Sequence, residues 1–186
     1  MGIDPLASYV SRRAVFLDRD GVLNEARIKD GKPFPPIGLA DLRITSDGAE
    51  SLTELSRAGF LLICVTNQPD VARGTQTREV VEAINETVRS RLPLADVLTC
   101  YHDERDGCAC RKPRPGLLVA AAARYSIDLS ASFMVGDRWT DIEAGLAAGC
   151  TTILLGNGYG ENAPSIAPDK ECVSLRAATD WILGHR

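Results

Sequence analysis

A doubly wound α/β domain, a Rossmann-like parallel sheet with helices on both faces, is the fold class this sequence predicts. Three observations lead to it: five short apolar runs of strand length, helical patterns between them, and polar clusters directly after most of those runs. Unbroken apolar runs suit strands covered on both faces, as in parallel sheets whose crossovers are helices. Ligands of such sheets bind beyond the carboxyl ends of the strands, which is where the polar clusters fall.

In chain order the runs are AVFL (14–17), FLLICV (60–65), ADVLTCY (95–101), SFMV (132–135) and TTILL (151–155). Between the first two, SDGAESLTELSRAGF puts Asp47 at an N-cap position, Leu52 and Leu55 on one face, and Gly59 as a stop. TREVVEAINETVRSRL repeats Val80, Ile84 and Val88 at i, i+4 and i+8, an amphipathic stripe. RPGLLVAAAARYSI sets Pro115 at the first helical position ahead of an alanine-rich body. TDIEAGLAAGC starts a helix at Thr140 that stops near Gly149, and SLRAATDWIL closes the chain with another. The segment from Glu25 to Ser46, rich in Gly and Pro, is expected as a long loop over the site. No inserted cap domain is visible, so the pocket is expected to be open.

The chain of 186 residues suffices for one domain with a real core, and residues 1–186 are read as a single domain. With 45% apolar and 25% charged residues its composition is that of a globular protein. A net charge of -4 and the lack of a basic stripe argue against nucleic acid as a partner. No apolar run reaches membrane-spanning length. The N-terminal MGIDPLASYVSRR lacks the apolar core of a secretory signal, and Leu6 stands where a myristoylation motif needs Ser or Thr. A cytoplasmic monomer is the expectation.

Asp18 and Asp20 follow the first run; Asp137 and Asp141 follow the fourth. Four carboxylates at one rim repel one another unless a divalent cation sits among them. Hard oxygen donors in an incomplete cage point to Mg²⁺, which keeps waters and takes a phosphate oxygen. Thr66 and Asn67 follow the second run, and Arg111 and Lys112 come after the third. Metal, lysine and hydroxyl together suit a phosphoryl group. The bland alternative makes each aspartate a cap of a turn or helix. That serves for any one of them, and poorly for four at strand ends with a lysine between.

Of six cysteines, Cys64, Cys150 and Cys172 are scattered among apolar segments and read as small buried residues. Cys100, His102, Cys108 and Cys110 form a Cys-x-His-x₅-Cys-x-Cys set, the donor count of a closed, tetrahedral structural Zn²⁺ site. The intervening DERDG is polar and builds no core, so a metal would staple it. Free thiols, or a Cys108–Cys110 disulfide, are the alternatives, the disulfide strained by having one residue between its ends. The set lies two residues from Lys112, where a staple would place Arg111 and Lys112. Asp70 is either a turn residue after Pro69 or an acceptor for a substrate hydroxyl. Arg73 either anchors a second phosphate or is solvated. Trp139 either walls the pocket or packs inside, and His185 reads as solvated. Arg19, between the two aspartates, is expected to point elsewhere and has no assigned role.

DRDGVLNE resembles the DxDG(T/V) signature of the haloacid-dehalogenase (HAD) phosphatase superfamily. VTNQ is similar to its second motif, Lys112 in CRKPRPG to its third and GDRWTD to its fourth, in the family's order. Within the superfamily, FLDRDGVLNE, TNQ…ARG and CxCRKPxPG resemble the D,D-heptose 1,7-bisphosphate phosphatases and the histidinol-phosphate phosphatases. The resemblance implies a HAD-like fold and a Mg²⁺-dependent phosphatase acting on a small phosphorylated metabolite through an aspartyl-phosphate. Asp18 would be the nucleophile and Asp20 the acid and base. Mg²⁺ would be held by Asp18, the main-chain carbonyl of Asp20 and Asp137. Thr66 and Lys112 would hold the phosphoryl group, Asn67 and Arg111 would orient substrate, and Asp141 would position Lys112 or the metal's waters. Both relatives carry a matching Cys/His cluster. TNQ…ARG and CRKPRPG favour a heptose bisphosphate losing its 7-phosphate. The short His-to-Cys loop and GDRxTDI look more like the histidinol group. A binding protein without activity on this fold would be expected to have lost Asp18, Asp20 or Lys112.

Overall fold

The structure is a computed structural model that describes residues 11–29, 32–156 and 167–185. Strand β1 (Ala14–Leu17) is followed by a hairpin of β2 (Arg27–Lys29) and β3 (Lys32–Phe34), then by helix α1 (Gly48–Arg57). Next come β4 (Leu61–Asn67), α2 (Arg78–Arg91), β5 (Asp96–Cys100) and α3 (Gly116–Tyr125). The chain continues through β6 (Phe133–Gly136), α4 (Trp139–Ala148), β7 (Thr151–Leu155), β8 (Lys170–Cys172) and α5 (Leu175–Gly184).

Six strands form one sheet in the order β5-β4-β1-β6-β7-β8, and every neighbouring pair is parallel. The side chains of β1 explain why both faces are covered. Val15 and Leu17 enter a core shared with Leu52 and Leu55 of α1, Ile84 and Val88 of α2, and Leu175 and Ile182 of α5. Ala14 and Phe16 point to the other core, with Leu117, Leu118 and Ala121 of α3 and Ala144 of α4. From β1 the chain runs on to β4 at one side, and from β6 it runs on to β7 at the other. The crevice between β1 and β6 is therefore the switch point at which ligands of open α/β sheets bind.

The expected elements form with shifted ends. Thr66 and Asn67 are the last residues of β4 rather than part of the loop beyond it. Helix α4 starts at Trp139, one residue before Thr140, and Pro115 stands just ahead of α3 instead of inside it. Asp47 does precede α1, but its carboxylate accepts from the Arg176 amide at the start of α5, at 2.9 Å, and caps no amide of its own helix. The expected loop over 25–46 holds the β2–β3 hairpin and a 3₁₀ turn at Leu39–Asp41. No helix among the described residues is long and apolar enough to cross a membrane.

Helix α3 supplies a test of this layering. Leu118 is fully buried, whereas Val119 is 48% exposed. Urea denaturation should show Leu118→Ala losing about 2–5 kcal/mol and Val119→Ala changing by no more than about 0.5 kcal/mol. Similar losses at both positions would contradict this facing of α3.

Candidate active site

Asp18 is the first residue after β1, and its amide donates to the Val135 carbonyl of β6 at 3.0 Å, which ties it to the switch point. Asp137 follows β6, and Asp141 lies in the first turn of α4. The three carboxylates are buried, and one oxygen of each lies within 4.8 Å of the others. Into this group reaches the Lys112 ammonium, also buried. Its Nζ stands 2.8 Å from Asp18 Oδ1 and 2.6 Å from Asp141 Oδ1, and donates to the Val65 carbonyl at 2.7 Å. Three donors thus meet three acceptors. Burial works against the charged amine, but Asp141 and Asp18 outweigh it and hold the Lys112 pKa above its ordinary value. Burial, with help from Asp141 and against the pull of Lys112, raises Asp18 from 3.8 to about 6.

Local sequence explains how these groups come so close. Gly21, at φ 92°, lets the chain turn sharply after the DRD stretch, closed by amide bonds from Leu23 and Asn24 to the Arg19 carbonyl at 2.9 and 3.0 Å. Gly136 has no side chain because Asp141 fills the space: a Cβ there would overlap the Asp141 Cβ and carboxyl carbon. Asn67 brackets the main chain of Lys112, donating to its carbonyl at 2.9 Å and accepting from its amide at 3.1 Å. The amide expected to orient substrate is therefore engaged in fixing the lysine.

Asp20 is held from several sides. Arg19, fully buried, donates through Nη2 to both carboxylate oxygens at 2.9 and 2.8 Å and through Nε to Oδ1 at 3.2 Å. Asn24 donates to Oδ1 at 3.0 Å and Gln68 to Oδ2 at 2.8 Å, while Gln68 also reaches the Thr66 hydroxyl at 2.9 Å. The expectation that Arg19 points elsewhere is thus overturned. Its guanidinium folds back onto its neighbour because Asn85 of α2 accepts from Nη1 at 2.7 Å.

The Cys/His set assembles as its spacing suggests. Sγ–Sγ distances among Cys100, Cys108 and Cys110 are 3.3, 3.4 and 3.7 Å, and His102 Nδ1 lies 3.3 Å from Cys110 and 3.7 Å from Cys100. Tetrahedral Zn²⁺ bonds of about 2.0 Å to nitrogen and about 2.3 Å to sulfur give edges of about 3.5–3.8 Å; the distances above lie within about 0.5 Å of these, so the four donors stand close to the cage that ion takes. All three thiols are unjoined, against the Cys108–Cys110 disulfide. Although burial opposes it, hydrogen bonds from Cys110 and neighbouring amides bring the Cys108 thiol down to about 7, towards the thiolate a metal takes. The cluster is joined to the site through Gln68, whose amide donates to the Cys100 carbonyl at 2.7 Å.

Asp18, Asp20, Thr66, Asn67, Lys112 and Arg73 share the wall of a cavity of about 300 Å³ at the switch point. Arg73 also pairs with Asp103 at 2.6 Å and Asp70 at 3.6 Å, so it is neither free nor simply solvated. Arg111 is not brought to this wall; its guanidinium turns to the His102 carbonyl at 3.4 Å. Sequence reasoning missed Pro33, Phe34 and Pro35 of the hairpin arm, and Arg138 and Thr140, which line the cavity where Trp139 does not. A residue next to the GDRWTD aspartate was a visible signal for Arg138; nothing local marked Phe34. His185, exposed, stacks on Trp181 with ring centroids 3.9 Å apart.

Residues 109–178 match a family described as HAD-hydrolase-like. The D-glycero-β-D-manno-heptose-1,7-bisphosphate 7-phosphatase of Pseudomonas putida is 34% identical over 157 residues, covering 80% of this chain and 85% of that protein. The enzyme of the same name from Escherichia coli is 33% identical over 183 residues, 91% of this chain and 87% of that one. Among solved structures, the D,D-heptose 1,7-bisphosphate phosphatase from B. bronchiseptica, complexed with magnesium and phosphate, superposes with a TM-score of 0.78 at 28% identity. That match covers 94% of this chain and 99% of the other.

Two outcomes test this geometry. Gly136→Ala should displace Asp141 and lower the melting temperature by several degrees, and an unchanged melt would contradict the packing of Asp141 on Gly136. For Asp18 the folded pKa of about 6 lies above the 3.8 of the free carboxyl. The folded state then binds the extra proton, so this group costs stability progressively as pH rises from about 4 to about 6, and the cost persists above. Without divalent cations, Asp18→Asn should melt higher than the parent at pH 7.5, the gap closing near pH 4. A gap independent of pH would refute the assignment.

Proposed function

The chain belongs to the HAD-like phosphatases, and from that premise we propose that it is a Mg²⁺-dependent enzyme releasing the 7-phosphate of D-glycero-D-manno-heptose 1,7-bisphosphate. The carrying observation is the buried Asp18–Lys112–Asp141 centre, with Asp137 beside it and Asp20 on the same cavity wall. Asp18, Asp137 and the main-chain carbonyl of Asp20 are the groups that would hold Mg²⁺. Three buried carboxylates against one ammonium are a donor set that calls for a cation. When bound, the ion would supply charge neutralisation for the transferring phosphoryl group. Cys100, His102, Cys108 and Cys110 would hold Zn²⁺ in a structural role.

In the first half-reaction an Asp18 carboxylate oxygen bonds to phosphorus as the bond from phosphorus to the sugar oxygen breaks. The released electron pair stays on that oxygen, which takes the proton of Asp20. In the second, water attacks the phosphorus of the aspartyl-phosphate, Asp20 takes its proton, and phosphate leaves with Asp18 restored. Lys112 and the Thr66 hydroxyl, on the same wall, stabilise the charge on the phosphoryl oxygens. Arg73 and Arg138 bring cationic side chains to the cavity for a second phosphate. The reading is completed by a cytoplasmic, monomeric protein of one domain, in keeping with its unjoined thiols.

A kcat/KM panel of heptose 1,7-bisphosphate anomers, histidinol phosphate and simple sugar phosphates should show at least about a hundredfold preference, about 2.7 kcal/mol, for a heptose bisphosphate. A preference for histidinol phosphate would replace the substrate assignment. Asp18→Asn should reduce turnover to background with the fold retained, and near-normal rates would end the nucleophile assignment. Metal analysis of protein purified without chelator should find close to one zinc per chain, and its absence would overturn the staple.

A further inference from the structure

The reaction above gives no work to Arg19, yet this side chain is wholly buried and occupied at every nitrogen of its guanidinium. A buried guanidinium is costly unless its geometry is set by several partners. Those partners run in one line. Thr99 of β5 accepts from the Asn85 amide nitrogen at 3.0 Å, Asn85 Oδ1 accepts from Arg19 Nη1 at 2.7 Å, and Arg19 grips both oxygens of Asp20. Asn85 is buried midway along α2, and its Oδ1 faces Arg19 rather than the cavity. We propose that Arg19 and Asn85 are positioning residues for proton transfer, a buried strut from α2 that aims the Asp20 carboxyl at the leaving oxygen.

A guanidinium stays protonated in proteins and has no acceptor atom, so Arg19 contributes direction and takes no part in the transfer itself. A carboxyl on a two-torsion arm at the lip of a cavity otherwise samples several orientations, and proton transfer needs it within hydrogen-bond reach of one atom. The hold is uneven. Oδ1 receives three donors, Arg19 Nε, Arg19 Nη2 and Asn24, while Oδ2 receives Arg19 Nη2 and Gln68. Oδ2 is thus the less occupied oxygen, the one on which a proton displaces a single donor to face the leaving group.

The inference rests on Asp20 being the acid of the first half-reaction, and the test separates the two. Loss of a positioned acid matters for a poor leaving group and little for one that departs unprotonated. Arg19→Lys should lower kcat/KM for the preferred sugar phosphate on the order of 10²-fold, with KM little changed, and kcat/KM for 2,4-dinitrophenyl phosphate by less than about fivefold. Asn85→Ala should give the same pattern at roughly tenfold. Asn85→Asp, which keeps an acceptor for Nη1, should restore most of the loss. If Arg19→Lys does not fold, the Asn85 pair carries the test alone. Equal losses on both substrates, or no loss, would overturn the strut. If Asp20→Asn itself shows no dependence on leaving group, it is the role of Asp20 that falls. If the parent hydrolyses no phosphate monoester, the functional reading falls.

Discussion

The Lys112 ammonium is the constraint on which the rest of the site depends. A buried amine with no partner gives up its proton or forces the fold to open. This one stays charged because Asp18, Asp141 and the Val65 carbonyl take one donor each. The same three bonds join the ends of β1 and β4 to the first turn of α4, so a single side chain sets the mutual placement of three elements. Truncating either aspartate to alanine would leave the lysine short of an acceptor, and removing the lysine would leave like charges facing one another across the switch point.

Other features follow from delivering that ammonium to its place. Lys112 lies on an irregular stretch between β5 and α3, with no ladder to hold it. Asn67 clamps its main chain, and the neighbouring Cys100–Cys110 cluster closes the loop before it. At the receiving end, Gly136 gives up its side chain so that Asp141 can approach. Each is a small local concession whose reason lies in a different part of the chain.

That separation decides what the sequence made legible. The runs at 14–17 and 151–155 matched their strands because two covered faces leave a short run of apolar and β-branched residues with no charge in it. Strands β2, β3 and β8 escaped notice: each is three residues long, and β2 is exposed throughout, so none carries a pattern. At the site, Asp18 and Asp137 could be singled out because they follow strands directly, and Asp141 and Lys112 because they stand in polar clusters further along the same connections. Direction could not be read. Arg111 and Lys112 are adjacent, yet one turns out to the His102 carbonyl and the other into the carboxylates. Arg19 was expected to point away and instead folds onto Asp20, drawn by Asn85, which is 66 positions further on.

Charge accounting links these observations to binding. The Arg19 guanidinium offsets whatever negative charge Asp20 carries, which removes Asp20 from the anionic tally of the centre. Apart from Arg73 and Arg138, which the second phosphate would take, what remains at the buried centre is Asp18, Asp137 and Asp141 against Lys112, an excess of negative charge. A phosphoryl dianion entering there meets net repulsion unless a cation enters too, and a cation entering alone gains from the carboxylates but still lacks oxygen partners. Each should therefore raise the other's affinity, and by the same factor, since coupling between two ligands of one protein is reciprocal. The excess of carboxylate that is costly to fold without a cation would thereby tie substrate binding to the metal.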